Sequence, residues 1–452
     1  MLKTITYNKL EKENELRFIH IFIPILVEQV FQTLIGNVDI LLLSQYSDDA
    51  VAAVGLSNQI IVIGTMILGV VAIGAVILLT QLLGSNKNEK IKLVIGSSIY
   101  LNLVISFIIF MVLLLFGKHF LSFIKTPEIL LEKGYSYLKI VGFSLIFQGI
   151  MTSFASIFRS FAIVGPIMKI SIIINIINLI GSSIVILTPV TLLGKGIEGV
   201  ANATLLSRII GAIIYIYLFL KLFKEYKSSI INPKIDLDCL KSIFKLGLPS
   251  GMESISYNIS QVMLTAIIAG FGTAVVTSKI YAQTTTSFIF TVSSAISLAV
   301  PVIVGRLIGR GLKEEASEYG INVLYKGVIA IFIISISIVP FYRPIISLFT
   351  NDKSIIGIAI SLIILSILLE PARAANSILI AQLNSAGDVR FPVITGMVVT
   401  YFLTIPMSFI VGVVLGYGIC GVWVVSIIDE WIRATLFYIR WKKGNWKKID
   451  IT

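Results

Sequence analysis

Two glutamates, Glu28 and Glu253, each follow a proline by four residues (Pro24 and Pro249), inside stretches that are otherwise largely apolar. An ionisable side chain at bilayer depth is costly unless it faces a wet cavity or a partner, so each is a candidate for binding a cation. At a helical rise of ~1.5 Å per residue both lie roughly 15 Å into their segments, near the midplane, while Asp39, about 20 residues in, belongs to the outer half of the first. A carboxylate so placed can hold a proton, a metal ion or an organic cation, though not all at once. For each acid the plainer alternative is a buried carboxylate paired with a basic neighbour. Around Glu253 the polar set is dense: Ser254, Ser256, Tyr257, Asn258, Ser260 and Gln261 follow it, and Gln283-Thr-Thr-Thr-Ser287 adds a polar patch to the next segment. A lipid-facing helix would carry less. Pro24 and Pro249 are expected to kink or open their helices, freeing carbonyls that could join Glu253 in holding a cation such as Na+. Glu370 and Arg373 share a helix face three residues apart, so the arginine can neutralise Glu370 or Glu253. Asp429 and Arg433, spaced i, i+4 with Glu430 beside them and Arg208 at the repeat-related position, read as a structural ion-pair set outside the central site. Snorkelling or pairing accounts for Lys279 and Lys326.

The elements that position these residues follow from composition. The chain has 452 residues, 56% hydrophobic and 13% charged, and a mean hydropathy of +0.97, which requires lipid as solvent. Lipid offers backbone amides no hydrogen bonds, so the apolar segments are helices. Windows of about 20 residues between polar breaks predict twelve: 18–45, 50–83, 92–116, 129–159, 167–189 and 197–223, then 243–270, 275–308, 319–341, 355–386, 392–415 and 419–441. The fold class expected is an all-α polytopic membrane protein. Residues 1–17 form a polar N-terminal segment rather than a cleavable signal, 18–224 and 242–441 are six-helix lobes, 225–241 links them, and 442–452 is a basic tail. Lys and Arg number about 24 on the side of the termini and about 6 on the other, which predicts cytoplasmic termini and linker. The net charge of +12 therefore reflects membrane orientation rather than nucleic-acid binding. Cys239 and Cys420, with His20 and His119, show neither disulfide nor zinc-ligand spacing.

The chain also repeats itself. A shift of 225 places Pro24 on Pro249, Glu28 on Glu253, and Gln81-Leu-Leu-Gly84 on Arg306-Leu-Ile-Gly309; one residue more aligns Pro166 with Pro392. A shift of 222 aligns the segment from Gly194 to Val200 with that from Gly416 to Val422. Units of six spans share one membrane orientation, which predicts a pseudo-two-fold axis along the membrane normal, a central cavity, and rocking of two bundles for alternating access.

Three stretches carry a resemblance to a known family. Asp39 in the run Gly36 to Ile40, followed by Ala52 to Gln59, resembles the first-to-second-helix signature of multidrug and toxin extrusion (MATE) transporters, members of the MOP flippase superfamily. Gly247-Leu-Pro-Ser-Gly-Met-Glu253 resembles their seventh-helix opening, and Glu370-Pro-Ala-Arg373 with the run Leu383 to Pro392 their tenth-to-eleventh-helix stretch. The resemblance implies an antiporter that exports organic cations or amphiphilic drugs in exchange for Na+ or H+, working as a monomer in the cytoplasmic membrane without a further cofactor. It implies that Glu253 contributes to the cation site and that Asp39 is the protonated acid of the N-terminal lobe. Sodium-coupled relatives carry a tenth-helix acid that joins the seventh-helix glutamate; here Glu370 comes with Arg373, a departure that leaves the ion open. The alternative is a flippase for lipid-linked saccharides, whose cationic cavity Lys279 and Arg373 would suit. An enzyme would need a nucleophile with a base or a metal pair, and ATP-driven transport a phosphate-binding glycine loop with lysine; the sequence offers neither.

Overall fold

The computed structural model describes residues 18–44, 46–188, 194–232 and 234–451; the side chains of 34–41, 44 and 48 also fall outside the description. The polar segment 1–17 and the side chain of Asp39 thus lie outside the described residues. Twelve long helices follow in chain order: α1 (Phe18–Ser44), α2 (Asp48–Gly84), α3 (Asn88–Phe123), α4 (Glu128–Ser160), α5 (Val164–Leu187), α6 (Gly196–Leu222), α7 (Leu237–Ala269), α8 (Thr273–Gly309), α9 (Lys313–Ser337), α10 (Lys353–Ser385), α11 (Arg390–Val414) and α12 (Gly418–Lys442). No strand occurs among the described residues. Nine helices among them are long and apolar enough to cross a bilayer. The remainder are α1, whose described apolar stretch is shorter, and α7 and α12, where polar and charged side chains interrupt the apolar run.

The distribution of side chains is that of a protein dissolved in lipid. Helix α3 buries Ser97, Ser98, Asn102 and Ser106 while exposing Phe107, Ile108 and Leu115. Asn102 Nδ2 donates to Ser153 Oγ on α4 at 2.8 Å, the kind of polar contact that holds helices together where lipid removes the hydrophobic drive.

Helix ends differ from the expected spans where a helix outgrows its apolar window. Helix α3 runs to Phe123 and α7 starts at Leu237, because polar terminal turns remain helical beyond hydrocarbon. Conversely α9 stops at Ser337, and Val339–Phe341 tightens into a 3-10 turn containing Pro340. Helix α11 is not uniform: π turns at Thr400–Thr404 and Ile410–Val414 flank a short α segment. Pro24 and Pro249 both lie inside unbroken helices, so neither opens its helix. Each simply withholds one backbone donor, from the carbonyl four residues before it.

The repeat is written into the backbone. Helices α2 and α8 start and end 225 residues apart, as do α4 and α10, while α6 and α12 start 222 apart. Eight of the eleven positive-φ residues among the described residues recur with the same offsets: Asn86 (φ 54°) and Gly311 (φ 81°), Ala162 (φ 62°) and Gly387 (φ 83°), Gly194 (φ 96°) and Gly416 (φ 76°), Gly196 (φ 55°) and Gly418 (φ 57°). By the offset of α12, Arg208 is the mate of Glu430, not of Arg433 as the uniform shift suggested.

The chain forms two compact units, one through Leu248 and one from Pro249. The first holds α1–α6 with the opening turns of α7, the second the rest. In the first, α4 packs against α2, α3 and α6; in the second, α10 packs against α8, α9 and α12. The first unit also fixes the start of α7 by a backbone crossing. A Cβ on Gly74 of α2 would lie 2.2 Å from the Ile243 carbonyl oxygen, and one on Gly247 of α7 2.1 Å from that of Val70. Only glycine permits that approach.

Candidate functional site

In the second unit, α10 and α12 bring five charges together. Arg373 Nη1 donates to Glu370 Oε1 at 2.9 Å, one turn apart on α10. Arg433 on α12 is bidentate to Asp429, with Nε to Oδ1 at 3.1 Å and Nη2 to Oδ2 at 2.7 Å, and its Nη2 also lies 3.0 Å from Glu430 Oε1. Glu430 joins the two helices: Arg373 Nε stands 3.9 Å from its Oε1, and Asn376 Nδ2 donates to its carbonyl oxygen at 2.9 Å and to its Oε2. Glu370 is fully buried, and its second carboxylate oxygen, Oε2, has no hydrogen-bond partner. Asn376 Oδ1 is likewise buried and unsatisfied. Buried polar atoms normally find partners, so these two acceptors mark places where a donor or a small cation would be accommodated.

Helix α7 adds the remaining polar groups. Glu253 feels the charges of Arg433 and Glu430, and Tyr257 those of Arg373, Arg433, Glu430 and Glu370. Among the described residues, Glu253 accepts no side-chain hydrogen bond and stands in no ion pair within 4 Å, in contrast to every acid of the α10–α12 set. Further along, Ser256 Oγ and Tyr401 Oη on α11 lie 3.3 Å apart, tying α7 to the first π turn.

Arg373 also borders a small, partly open pocket with a free volume of about 20 Å³. Gln261, Lys279, Gln283, Trp423 and Ser426 line it with Arg373, and leucine, isoleucine and valine side chains complete the wall. Lys279 is not snorkelling: it is 5% exposed, and its Nζ donates to Thr265 Oγ1 at 2.5 Å. Gln283 is thereby placed beside Arg373, as a shared wall of one pocket.

The first unit is different. Glu28 is buried, with its Oε2 3.5 Å from Arg159 Nη2 on α4 and its Oε1 accepting from Gln32 Nε2 at 3.4 Å. Arg208 Nη1 donates to Ser144 Oγ at 2.7 Å. Of the residues singled out from sequence, Glu370, Arg373, Tyr257, Glu253 and Gln283 come together in the second unit, Glu28 sits in the first with a basic partner, and the side chain of Asp39 lies outside the described residues. Sequence reasoning gave Glu430 and Asn376 no part in the site. The available signal was spacing: Asn376 follows Arg373 by three residues and so shares its face, and Glu430 precedes Arg433 by three.

Comparison with known proteins gives the same picture over nearly the whole chain. The sequence model of the MatE family matches twice, at residues 24–184 and 249–410, with starts 225 residues apart. The chain is 34% identical to the uncharacterized transporter YisQ of Bacillus subtilis over 427 residues, 94% of this chain and 93% of that one. It is 25% identical over 450 residues to the probable multidrug resistance protein NorM of Thermotoga maritima, covering 98% and 96% of the two chains. Among solved structures, a multidrug resistance MATE family transporter of the MOP superfamily in an outward-facing conformation superposes with a TM-score of 0.87 at 19% identity, covering 96% of each chain. A MOP superfamily transporter from Pyrococcus furiosus, described as having a binding pocket of reverse polarity, superposes at 0.86 with 19% identity, again over 96% of each chain. With a family match in each half and a 34% identical relative covering 94% of its length, this chain belongs to the MatE family of membrane-spanning transporters.

Proposed function

We propose that the protein is a cation-coupled antiporter of the cytoplasmic membrane, exporting organic cations or amphiphilic compounds by alternating access in exchange for Na+ or H+. The observation that carries this reading is a charge imbalance. Four carboxylates (Glu253, Glu370, Asp429 and Glu430) share the second unit's interior with three basic groups, Arg373, Arg433 and the buried Lys279, which leaves one negative charge uncompensated. Uncompensated negative charge at bilayer depth is costly, and a bound proton, Na+ or organic cation relieves it. Glu253, which has no ion-pair partner among the described residues, is the group at which these cations compete, with Glu370 Oε2 as a second acceptor and Tyr257 and Gln283 as neutral polar neighbours. Competition for one charge gives antiport if the driving ion and the exported compound prefer opposite openings of the site. Glu28 and Asp39 form the corresponding acids of the first unit. The lysine asymmetry supports cytoplasmic termini, and the working unit is a monomer.

The name carried by the Thermotoga maritima relative, probable multidrug resistance protein, supports export of drugs. The test is efflux of a fluorescent organic cation from proteoliposomes under an imposed Na+ or H+ gradient. Wild-type protein is expected to accelerate efflux under one of the gradients, and Glu253→Gln is expected to abolish that acceleration while remaining monodisperse. Gradient-independent efflux, or full coupling in the variant, would sink the reading. A second reading, flipping of a lipid-linked saccharide, draws on Lys279 and Arg373 lining one pocket; translocation of such a lipid with no cation efflux would decide for it.

A further inference from the structure

The pocket beside Arg373 has the opposite chemistry to the acid cluster behind it. Lys279, only 5% exposed, reaches into this pocket from α8. Its ammonium has three donors, and the structure supplies one acceptor, Thr265 Oγ1, whose own hydrogen is committed to the Gln261 carbonyl oxygen at 2.6 Å. No carboxylate lies within ion-pair distance of Lys279 among the described residues, and the one charge it feels is that of Arg373, of the same sign. Arg373 in turn spends one face on Glu370. A buried ammonium facing a like charge lacks the counter-ion that such a group ordinarily requires. The rest of the pocket describes what would bring one. Gln261, Gln283 and Ser426 offer neutral hydrogen-bonding groups, while Trp423, whose indole N–H is already given to Ser366 Oγ at 3.1 Å, can contribute only its ring.

We infer that this pocket binds an oxyanion carried on an apolar body: a sulfonate, carboxylate or phosphate whose oxygens pair with Lys279 and whose hydrocarbon lies along Trp423. The exported compound would then be a zwitterionic amphiphile, its positive part drawn to the acids and its negative part to Lys279. The inference builds on the reading of the chain as an exporter only for what happens after binding; the binding itself stands on Lys279 and its pocket. The same chemistry could come from a soluble amphiphile or from the headgroup of an anionic phospholipid.

The test uses the full chain in nanodiscs of phosphatidylcholine and a matched pair of probes, hexanesulfonate and hexyltrimethylammonium, read by tryptophan fluorescence against a Trp423→Phe control. Hexanesulfonate is expected to give a saturable change that the control lacks. Lys279→Gln should weaken it about tenfold or more, and Lys279→Arg should keep it within about threefold, since a charge-assisted contact is removed in the first and retained in the second. Equal sulfonate affinity in Lys279→Gln, or hexyltrimethylammonium binding with the same dependence on Lys279, would overturn the proposal. Should Lys279→Gln not yield monodisperse protein, the selectivity of the wild type for sulfonate over ammonium, seen through Trp423, decides alone. Adding phosphatidylglycerol to the nanodiscs separates the sources: competition with hexanesulfonate identifies a lipid headgroup as occupant, and unchanged affinity identifies a soluble amphiphile. Binding without gradient-driven efflux would remove the antiport reading and leave this one; efflux without sulfonate binding would do the reverse.

Discussion

The two units share helix order, the bounds of their second and fourth helices and several turn conformations, yet they treat buried charge differently. In the first, Glu28 meets one arginine, Arg159, and the positions 225 residues before Glu370 and Arg373 hold Leu145 and Gln148. In the second, those two positions begin a network that extends to Asp429, Glu430 and Arg433, with more acid than base. At the mates Arg208 and Glu430 the sign itself is reversed. Duplication supplied the scaffold twice, and one copy became the place where charge is left unbalanced. A fold of this kind tolerates that because α4 and α10, each packed against three neighbours of its own unit, keep their backbone positions whatever their central side chains are.

The largest effect that would sharpen the contrast is on coupling. Glu253→Gln is expected to eliminate gradient-driven efflux, whereas Glu28→Gln, which removes an acid already paired, should leave a measurable part of it; equal loss in both, measured in the same proteoliposomes, would dissolve the distinction. Next comes stability. Arg433→Met strands Asp429 without its basic partner, while Glu430 keeps Asn376 and Arg373, and should cost about 3–5 kcal/mol in unfolding experiments in detergent. Arg208→Gln, which keeps a donor for Ser144, should cost less than about 1 kcal/mol. Similar losses at the two positions would mean that the networks are equivalent after all.

Two smaller effects probe the backbone. Gly74 meets a carbonyl oxygen in the first unit, while its mate in the second is Ala299, so a methyl is accepted at one position and excluded at the other. Gly247→Ala, on the facing side of that crossing, should lower stability by about 1–3 kcal/mol as the helices are forced apart, a shift visible in thermal melts. The smallest change is a gain. Ala162 is left-handed where the second unit has Gly387, and Ala162→Gly should raise stability by about 1 kcal/mol; Gly387→Ala should lower it by more than that, because its Cβ would also lie 2.8 Å from Ile451.

Much of this architecture was readable from residues alone, for identifiable reasons. Twelve helices appear as apolar windows because lipid admits few other arrangements. Their ends were less legible: nothing apolar distinguishes the turn at Asn88 or the six residues before Ile243, which are helical without being buried in hydrocarbon. The repeat announced itself through Pro-x-x-x-Glu, and the change of offset at the last helix through a shared Gly-x-Gly, although applying one uniform shift misassigned the partner of Arg208. Glu370 and Arg373 could be paired from their spacing, but the contact of Asn376 with Glu430 joins residues 54 apart and depends on how α10 meets α12. Lys279 was misjudged for a related reason. A single lysine in an apolar segment looks the same on paper whether its stem reaches the interface or ends beside a threonine inside the protein.

The paired left-handed residues bear on how such a chain can be rebuilt. Asn86 and Gly311 close the same turn after the same helix, as do Ala162 and Gly387, with different side chains in each copy. What was inherited at these corners is a direction of the chain rather than a residue. The corners are therefore spare parts for one another: residues 85–87 could be exchanged for 310–312, and the helices on either side would still leave and enter at the angles they require.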